Sequence, residues 1–219
     1  MSAFFQNYMG VDPATFAELA GPFGWTCFAV IVIYIAVLLA IENTNRKTLL
    51  TFTDFLTGKV AGTMREPVFE GLYKDFNFTI TTFTSGKGSG CVLKIKFFKN
   101  SDLKMRIRRR TQDDVWQLWR LTLLKRVEIG DTKFDEWLMI HASNPERAHA
   151  LFSEQEVMQA LDSLFNKLNF KYLYIRNGTV EAIWRFVDIG CTASQDLPCY
   201  KKDNVLLAVE SLHAVSKSL

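Results

Sequence analysis

Residues 94–110, KIKFFKNSDLKMRIRRR, carry eight lysines and arginines and one aspartate, whereas the whole 219-residue chain has a net charge of only +3. The rest of the chain is therefore acidic on balance. A cluster this dense can bind anions, and three surfaces offer them: nucleic acids, anionic lipid leaflets and acidic patches on proteins. Which one applies depends on the elements that carry the cluster and on where the chain resides.

Other reactive residue types do not form a catalytic pattern. The paired carboxylates at 113–114 and 135–136 are adjacent in sequence, and adjacent residues of a strand point to opposite faces. Residues 85–90, SGKGSG, lack the spacing of a phosphate loop, and the alternating pattern that resumes after them indicates a hairpin tip. Cys191, Cys199 and three scattered histidines do not supply a four-ligand metal site. The sequence thus predicts no catalytic residue, no cofactor and no metal.

An apolar segment near the N-terminus predicts a membrane span. No charged residue occurs between Glu18 and Glu42, and residues 23–41 are almost purely apolar. About 20 such residues in a helix cross a hydrocarbon core. A signal peptide is disfavoured because the first 24 residues contain no lysine or arginine. We therefore predict one transmembrane helix at 23–42, with small or interfacial residues for helix packing at Gly24, Trp25, Ala29 and Ala36.

Basic residues predict the orientation of this span. None precede it, whereas Arg46, Lys47, Lys59 and Arg65 follow it closely. Because lysine and arginine stay on the cytoplasmic side, the N-terminus should lie outside the membrane and residues 43–219 in the cytoplasm. Residues 1–22 are predicted to form an interfacial arm whose helix begins at Asp12-Pro13.

The remaining chain predicts a connector at 43–68 and an α+β domain at 69–219 with a mainly antiparallel sheet and helices on one face. Period-two alternation indicates one strand from residue 69 to 83, a second at 91–98 and a third at 103–110, arranged as a meander. Weaker strand patterns occupy residues 118–129 and 133–141.

Turn and cap signals organise the C-terminal half. Asn144-Pro145 predicts a helix start, and Ser153 with Glu156 predicts a capping box for a second helix. Asn177-Gly178 predicts a two-residue hairpin turn between two strands. A final amphipathic helix is predicted to be capped by Asp203 or Asn204.

The predicted strands place most of the basic cluster on one face of the sheet. If the strands at 91–98 and 103–110 pair through the turn between them, their alternation gathers six cations on the face opposite the core: Lys94, Lys96, Lys104, Arg106, Arg108 and Arg110. The face is then a solvated surface, a surface held near the anionic leaflet, or a nucleic-acid surface. Phe98 is the only aromatic residue expected there, which disfavours nucleic acid.

Three segments together resemble a group of bacterial proteins with one or two membrane helices and a cytoplasmic α+β domain. They are FEGLYKDFNFTI at 69–80, KFDEWLMIHASNPERAHALFS at 133–153 and YLYIRNGTVEAIW at 172–184. The resemblance implies the fold and a bacterial origin, and it transfers no chemistry.

We therefore expect a non-catalytic, single-pass accessory subunit of an inner-membrane complex of the respiratory, photosynthetic or transport kind. Its partners would be other integral membrane subunits, with anionic lipid as a further partner and nucleic acid disfavoured. The alternative is a free-standing, membrane-anchored sensor or adaptor that binds a ligand, a lipid headgroup or a soluble protein. An orphan hydrolase ranks third.

Overall fold

The computed structural model describes residues 13–63, 66–85, 90–110, 124–185 and 198–219. The chain forms two compact units, residues 1–43 and residues 44–219. Helix α1, Pro13–Thr51, accounts for the described part of the first unit and continues into the second. Gly21 interrupts it with non-helical angles (φ 54°, ψ −166°), which a residue without a Cβ tolerates. By length and composition alone, the part of α1 from Gly24 onward could cross a membrane.

The last turns of α1 belong to the core of the second unit. Leu49 and Phe52 are fully buried, and a short 3₁₀ turn, Phe52–Asp54, ends the helical run. The Phe52 ring packs against Phe69 at 6.2 Å and Tyr200 at 6.4 Å between centroids. Part of the segment that the sequence indicated as a connector therefore contributes to the folded unit.

One antiparallel sheet organises the second unit. The nine strands in the described part of the chain lie in the order β1-β2-β3-β4-β9-β8-β5-β7-β6, and every neighbouring pair is antiparallel. The predicted α+β class with an antiparallel sheet is confirmed. The strands are β1 Gly58–Gly62, β2 Pro67–Tyr73, β3 Phe76–Ser85, β4 Gly90–Phe98, β5 Met105–Arg109, β6 Lys125–Val127, β7 Leu138–Ala142, β8 Tyr172–Arg176 and β9 Thr179–Arg185.

Four helices of the second unit lie in the described residues after β6. They are α2 Thr132–Trp137, α3 Pro145–Phe152, α4 Gln155–Asp162 and α5 Lys202–Lys217; a π-helical turn, Ser163–Lys167, extends α4, and a 3₁₀ turn, Pro198–Tyr200, precedes α5. Alternate strand residues such as Phe97 and Ile107 share one apolar cluster with helix residues such as Leu161 and Leu212. Burial of this cluster is the main force that holds the helices on the sheet.

Several local predictions are confirmed. Asn144 caps α3, since its side-chain oxygen accepts a hydrogen bond from the Arg147 amide at 3.1 Å, and Pro145 is the first helical residue. The β8–β9 turn at Asn177-Gly178 has positive φ at both residues (51° and 71°), as a type I′ turn requires. The helix predicted after Ser153 is present as α4, and α4 and the turn after it bury an apolar face: Val157, Leu161, Leu164, Phe165 and Leu168.

The prediction of a single strand at 69–83 is wrong. Lys74 and Asp75 have φ of 45° and 70° and form a two-residue turn, so that Tyr73 pairs with Phe76 across a hairpin. The sequence pattern did not reveal the turn at Lys74 and Asp75, because the alternation of apolar and polar residues resumes directly after it. The signal was nevertheless present, since the core residues change from odd to even numbers between Phe69 and Phe78.

Other errors concern helix ends and the segment at 133–141, predicted to be a strand. This segment begins with α2 and becomes strand β7 only at Leu138.

The capping box is wrong because the Ser153 hydroxyl donates to the Ala150 carbonyl of the preceding helix. Helix α5 begins at Lys202 without a side-chain cap, and the Asn204 amide donates instead to the Pro198 carbonyl. Of the strand predicted at 118–129, residues 125–127 form β6 and residues 118–123 lie outside the described residues.

His213 of α5 packs against the rings of Tyr73 at 5.4 Å and Phe76 at 5.1 Å between centroids. Burial lowers the pKa of His213 below its ordinary 6.5, and the cations of Lys74 and Lys217 lower it further, against an opposing effect of Glu156. The folded protein therefore favours the neutral imidazole.

We expect His213 to make stability depend on pH below neutrality. As the pH falls from about 6.5 towards the lowered pKa, the unfolded chain binds more protons than the folded one, so the free energy of unfolding decreases. Urea unfolding at pH 7.5 and pH 5 should show a smaller difference in His213→Gln than in the wild type. His149→Gln, which alters an exposed histidine, is the control. A His213→Gln variant with the full wild-type pH dependence would contradict this assignment.

Candidate functional site

Strands β4 and β5 carry the basic cluster, and the prediction that they pair with each other is wrong. Strand β4 pairs with β3 and β9, whereas β5 pairs with β7 and β8. Three strand spacings of roughly 4.8 Å therefore separate β4 from β5, about 14 Å in all. The segment that connects β4 to β5 passes the β8–β9 turn, where the Lys99 amide donates to the Gly178 carbonyl at 2.9 Å. The six residues from 99 to 104 span this gap easily, since an extended chain covers about 3.3 Å per residue.

We call the sheet face opposite the helix-covered core the basic face. Strand register places Lys96, Glu181, Tyr174 and Arg106 in one cross-strand row, and Lys94, Ile183, Tyr172 and Arg108 in the next. Side chains in such rows are direct neighbours. The hairpin β8–β9 thus inserts a carboxylate and two tyrosines between the two groups of cations.

Glu181 lies at the centre of the basic face. Its side chain is only 7% exposed, and its carboxylate lies 4.0 Å from the Lys94 ammonium and 3.7 Å from the Arg176 guanidinium. These contacts connect β4 and β8 through β9. Because one buried carboxylate balances two cations, the face retains a positive charge.

Tyr172 and Tyr174 stack on each other with centroids 5.8 Å apart and planes inclined by 22°. The guanidinium carbon of Arg106 lies 5.4 Å and 5.5 Å from the two ring centroids, and that of Arg176 lies 5.0 Å from Tyr174. Each such contact contributes roughly 0.5–1 kcal/mol when partly exposed. Burial raises the pKa of Tyr174, and the nearby cation of Arg106 opposes this rise.

These tyrosines correct the expectation that Phe98 is the only aromatic residue on this face. Sequence analysis missed Tyr172, Tyr174, Arg176 and Glu181 as members of the site. Alternation along β8 and β9 is enough to place these four residues on a common face of the hairpin. Only the tertiary structure shows that this face adjoins β4 and β5.

The predicted cations have different environments. Lys96 lies 5.1 Å from the Phe98 ring centroid, and Lys104 and Arg110 are exposed just outside β5. Arg108 is only 3% exposed and donates to the Met139 sulfur at 3.2 Å, so it does not belong to the accessible surface. Within the described residues, no carboxylate lies within ion-pair distance of Lys96 or Arg106.

Arg109 has a different role from its neighbours in the basic cluster. Its odd number places it in the core-facing row with Met105 and Ile107, and its guanidinium donates to the Phe165 carbonyl in the π-helical turn. Two residues beyond this turn, Asn169 adopts the left-handed conformation (φ 60°), and the Phe170 amide donates to the Leu164 carbonyl. Arg109 therefore stabilises the end of a helix.

The predicted packing residues of the membrane span lie on α1. Trp25, Ala29 and Ala36 are exposed, whereas Gly24 is half-buried. At 100° per residue, Trp25, Ala29 and Ala36 share one face of the helix, and Gly24 lies about a quarter turn away. The structure thus brings three of these four residues into a common stripe.

A cavity of about 370 Å³ lies between helix α2, helix α4 and the π-helical turn. Asp162 and Lys167 are its ionisable groups, and Asp162 already accepts a hydrogen bond from Asn166 at 2.8 Å. The described part of the chain contains no group of three or more histidine, cysteine, aspartate or glutamate side chains arranged to hold a metal. The other lining residues are Phe134, Gln155, Met158, Gln159 and Ser163.

No protein-family model matches the chain, and no curated protein and no solved structure is significantly similar to it. The class of this protein is therefore defined by its fold and by the geometry of its sheet surface. In the described residues, the second unit is an α+β domain whose antiparallel sheet packs against helices and carries cations and tyrosines on its basic face.

Proposed function

We propose that the chain is a non-catalytic, single-pass accessory subunit of a bacterial inner-membrane complex of the respiratory, photosynthetic or transport kind. The observation that carries this proposal is the exposed apolar stretch of α1 at residues 30–39, where Val30, Ile33 and Tyr34 are each more than 60% exposed. A soluble protein rarely exposes a contiguous apolar patch of this size to water. Lipid and neighbouring membrane helices would cover it.

The N-terminus would lie outside and the sheet domain in the cytoplasm, since the basic residues follow the span. A fluorescent protein that folds only in the cytoplasm, fused after Leu219, should then fluoresce. Activity of a periplasmic phosphatase fused at the same position would reverse the proposed orientation. The basic face would be the surface that docks on partner subunits or on the membrane.

The alternative is a free-standing membrane-anchored sensor or adaptor. Lys96 and Arg106 favour it, because in the described residues neither forms an ion pair with a carboxylate and both lie beside aromatic rings that an anionic ligand could also contact. Extraction of native membranes in mild detergent, followed by sizing and mass spectrometry, separates the two proposals. Partners at a fixed ratio support the subunit, whereas migration of the chain alone contradicts it and favours the adaptor.

We expect a larger residue at position 36 to weaken the packing of α1 against a partner helix. Ala36→Ile should lower the recovery of copurifying subunits about tenfold, because an overpacked contact costs roughly 1–3 kcal/mol. Cys27 lies nine residues away and thus on the opposite side of the helix, so Cys27→Ile is a matched control. Equal recovery from the two variants would contradict a role for the Ala36 face. Quantitative mass spectrometry of the purified material provides the measurement.

A further inference from the structure

At one end of the sheet, large apolar side chains and cations occur together at the surface. The last cross-strand row of the basic face contains Leu72, Asn77, Phe98, Thr179 and Arg176. Leu72 is 48% exposed and Phe98 is 46% exposed, and they are the two large apolar side chains of the described strands that are exposed to this degree. Lys104 continues the row, since Met105 pairs with Ile175 and the residue before Met105 therefore lies opposite Arg176.

Cations lie at the same end of the sheet. Lys96 lies against Phe98, whereas Lys74 and Lys99 lie against the rings of Tyr73 at 5.3 Å and Phe76 at 5.4 Å, which pack on His213 of α5. We call this surface the rim: Leu72, Lys74, Lys96, Phe98, Lys99, Lys104 and Arg176. Five carboxylates lie near the rim. Asp102 pairs with Arg147, Glu181 pairs with Lys94 and Arg176, and Glu210 accepts a hydrogen bond from the Tyr73 hydroxyl at 3.3 Å; Asp75 and Glu70 are exposed. The rim is therefore positive on balance.

We propose that the rim docks on the surface of a bilayer containing anionic phospholipids, with Leu72 and Phe98 in the interface and the cations on the phosphates. The inference deepens the proposed function, because it rests on the chain being anchored in a membrane. Each cation near an anionic leaflet strengthens docking about fivefold, which corresponds to about 1 kcal/mol. Exposed leucine and phenylalanine beside lysines form the composition that enters a headgroup region.

The same surface is less suited to other macromolecules. Single-stranded nucleic acid stacks its bases on aromatic faces, but Tyr172 and Tyr174 face each other and are contacted by Arg106 and Arg176. Protein interfaces are depleted in lysine, whereas four of the five rim cations are lysines. A strongly hydrated ammonium suits a phosphate headgroup that stays in water.

Hydrogen exchange of the full chain in lipid nanodiscs tests the proposal. Discs of phosphatidylcholine alone are compared with discs that contain about 30% phosphatidylglycerol. We expect slower exchange at residues 72–77 and 98–104 in the anionic discs, and loss of this difference at about 0.5 M salt, which screens surface charge. Equal exchange in the two kinds of disc would overturn the proposal.

Two sets of variants assign the effect to the rim. The triple substitution Lys74→Gln, Lys96→Gln and Lys104→Gln should weaken docking about a hundredfold and abolish the difference between discs. The matched control replaces three exposed lysines elsewhere: Lys167→Gln, Lys201→Gln and Lys202→Gln. Leu72→Ser with Phe98→Ser should reduce the slowing without removing its salt dependence. Slowing that persists in both rim variants would contradict the proposal, as would slowing by a single-stranded oligonucleotide in neutral discs.

A separate measurement distinguishes failure of the rim from failure of the anchor. Release of the chain from native membranes by alkaline carbonate would contradict the membrane span. Flotation of the released full chain with neutral and anionic vesicles would then test the rim alone. Binding to anionic vesicles only supports the rim, and absence of binding overturns it.

Discussion

Replacing Phe78 by alanine is expected to lower the free energy of unfolding of the sheet domain by about 3–5 kcal/mol. Phe78 is 1% exposed, stacks on Phe97 with centroids 5.3 Å apart and contacts Phe69 at 5.9 Å. Its removal would leave a cavity between three strands whose extended backbones cannot collapse into it. A loss of this size is a large fraction of the total stability of a domain, about 5–15 kcal/mol.

Urea unfolding of the full chain in mild detergent, followed by tryptophan fluorescence, measures this loss. Phe98→Ala is the matched control, because Phe98 lies on the neighbouring strand and on the opposite, exposed face. We expect the control to change stability by about 0.5 kcal/mol or less. Equal losses in the two variants would show that the assignment of the two faces is wrong.

A second substitution makes the test specific to the packing of Phe78. A Cβ atom at Gly71 would lie 2.5 Å from a ring carbon of Phe78, so Gly71→Ala should destabilise the wild type by about 1–3 kcal/mol. In the Phe78→Ala background this cost should become smaller, because the nearer ring is absent, but it should not vanish, because a ring carbon of Phe69 remains 2.9 Å from the added Cβ. Additive losses would contradict the contact.

Replacing Glu181 by glutamine is expected to lower the free energy of unfolding by about 2 kcal/mol. Removing one partner of a fully buried ion pair costs roughly 3–5 kcal/mol, but Lys94 and Arg176 are 34% and 55% exposed and can turn towards water. The loss should therefore be smaller than for a fully buried pair. Urea unfolding provides the measurement, as for Phe78.

Glu70→Gln is the control for Glu181, because Glu70 occupies the same cross-strand row on β2 and is exposed. It should change stability by about 0.5 kcal/mol or less. Glu181→Gln should also strengthen docking on anionic nanodiscs about fivefold, since it leaves two cations near the rim without their carboxylate. A variant with reduced stability and unchanged docking would separate Glu181 from the binding surface, and unchanged stability would contradict its role between β4 and β8.

Alternation along β4 and β5 predicts which face of the sheet each residue occupies, but it does not predict whether that residue is buried. The odd and even residues of β4 and β5 separate core from basic face, so Lys96 and Arg106 lie where the sequence predicted. The same rule places Arg109 among the core residues. It did not identify Arg108 as buried, because burial depends on what covers a face and not on which face a residue occupies.

The sequence by itself determined the local structure of this protein: the apolar helix, the cap at Asn144, the turn at Asn177-Gly178 and the alternation of the strands. Each of these depends on residues within a few positions of one another, so local sterics and hydrogen bonding decide them. Only the tertiary structure decided that β9 and β8 lie between β4 and β5, because that order follows from packing between strands some 70 residues apart in sequence. This order separates the cations and places Glu181, Tyr172 and Tyr174 between them. The binding surface is therefore a property of the assembled sheet, whereas its charged residues are visible in the sequence.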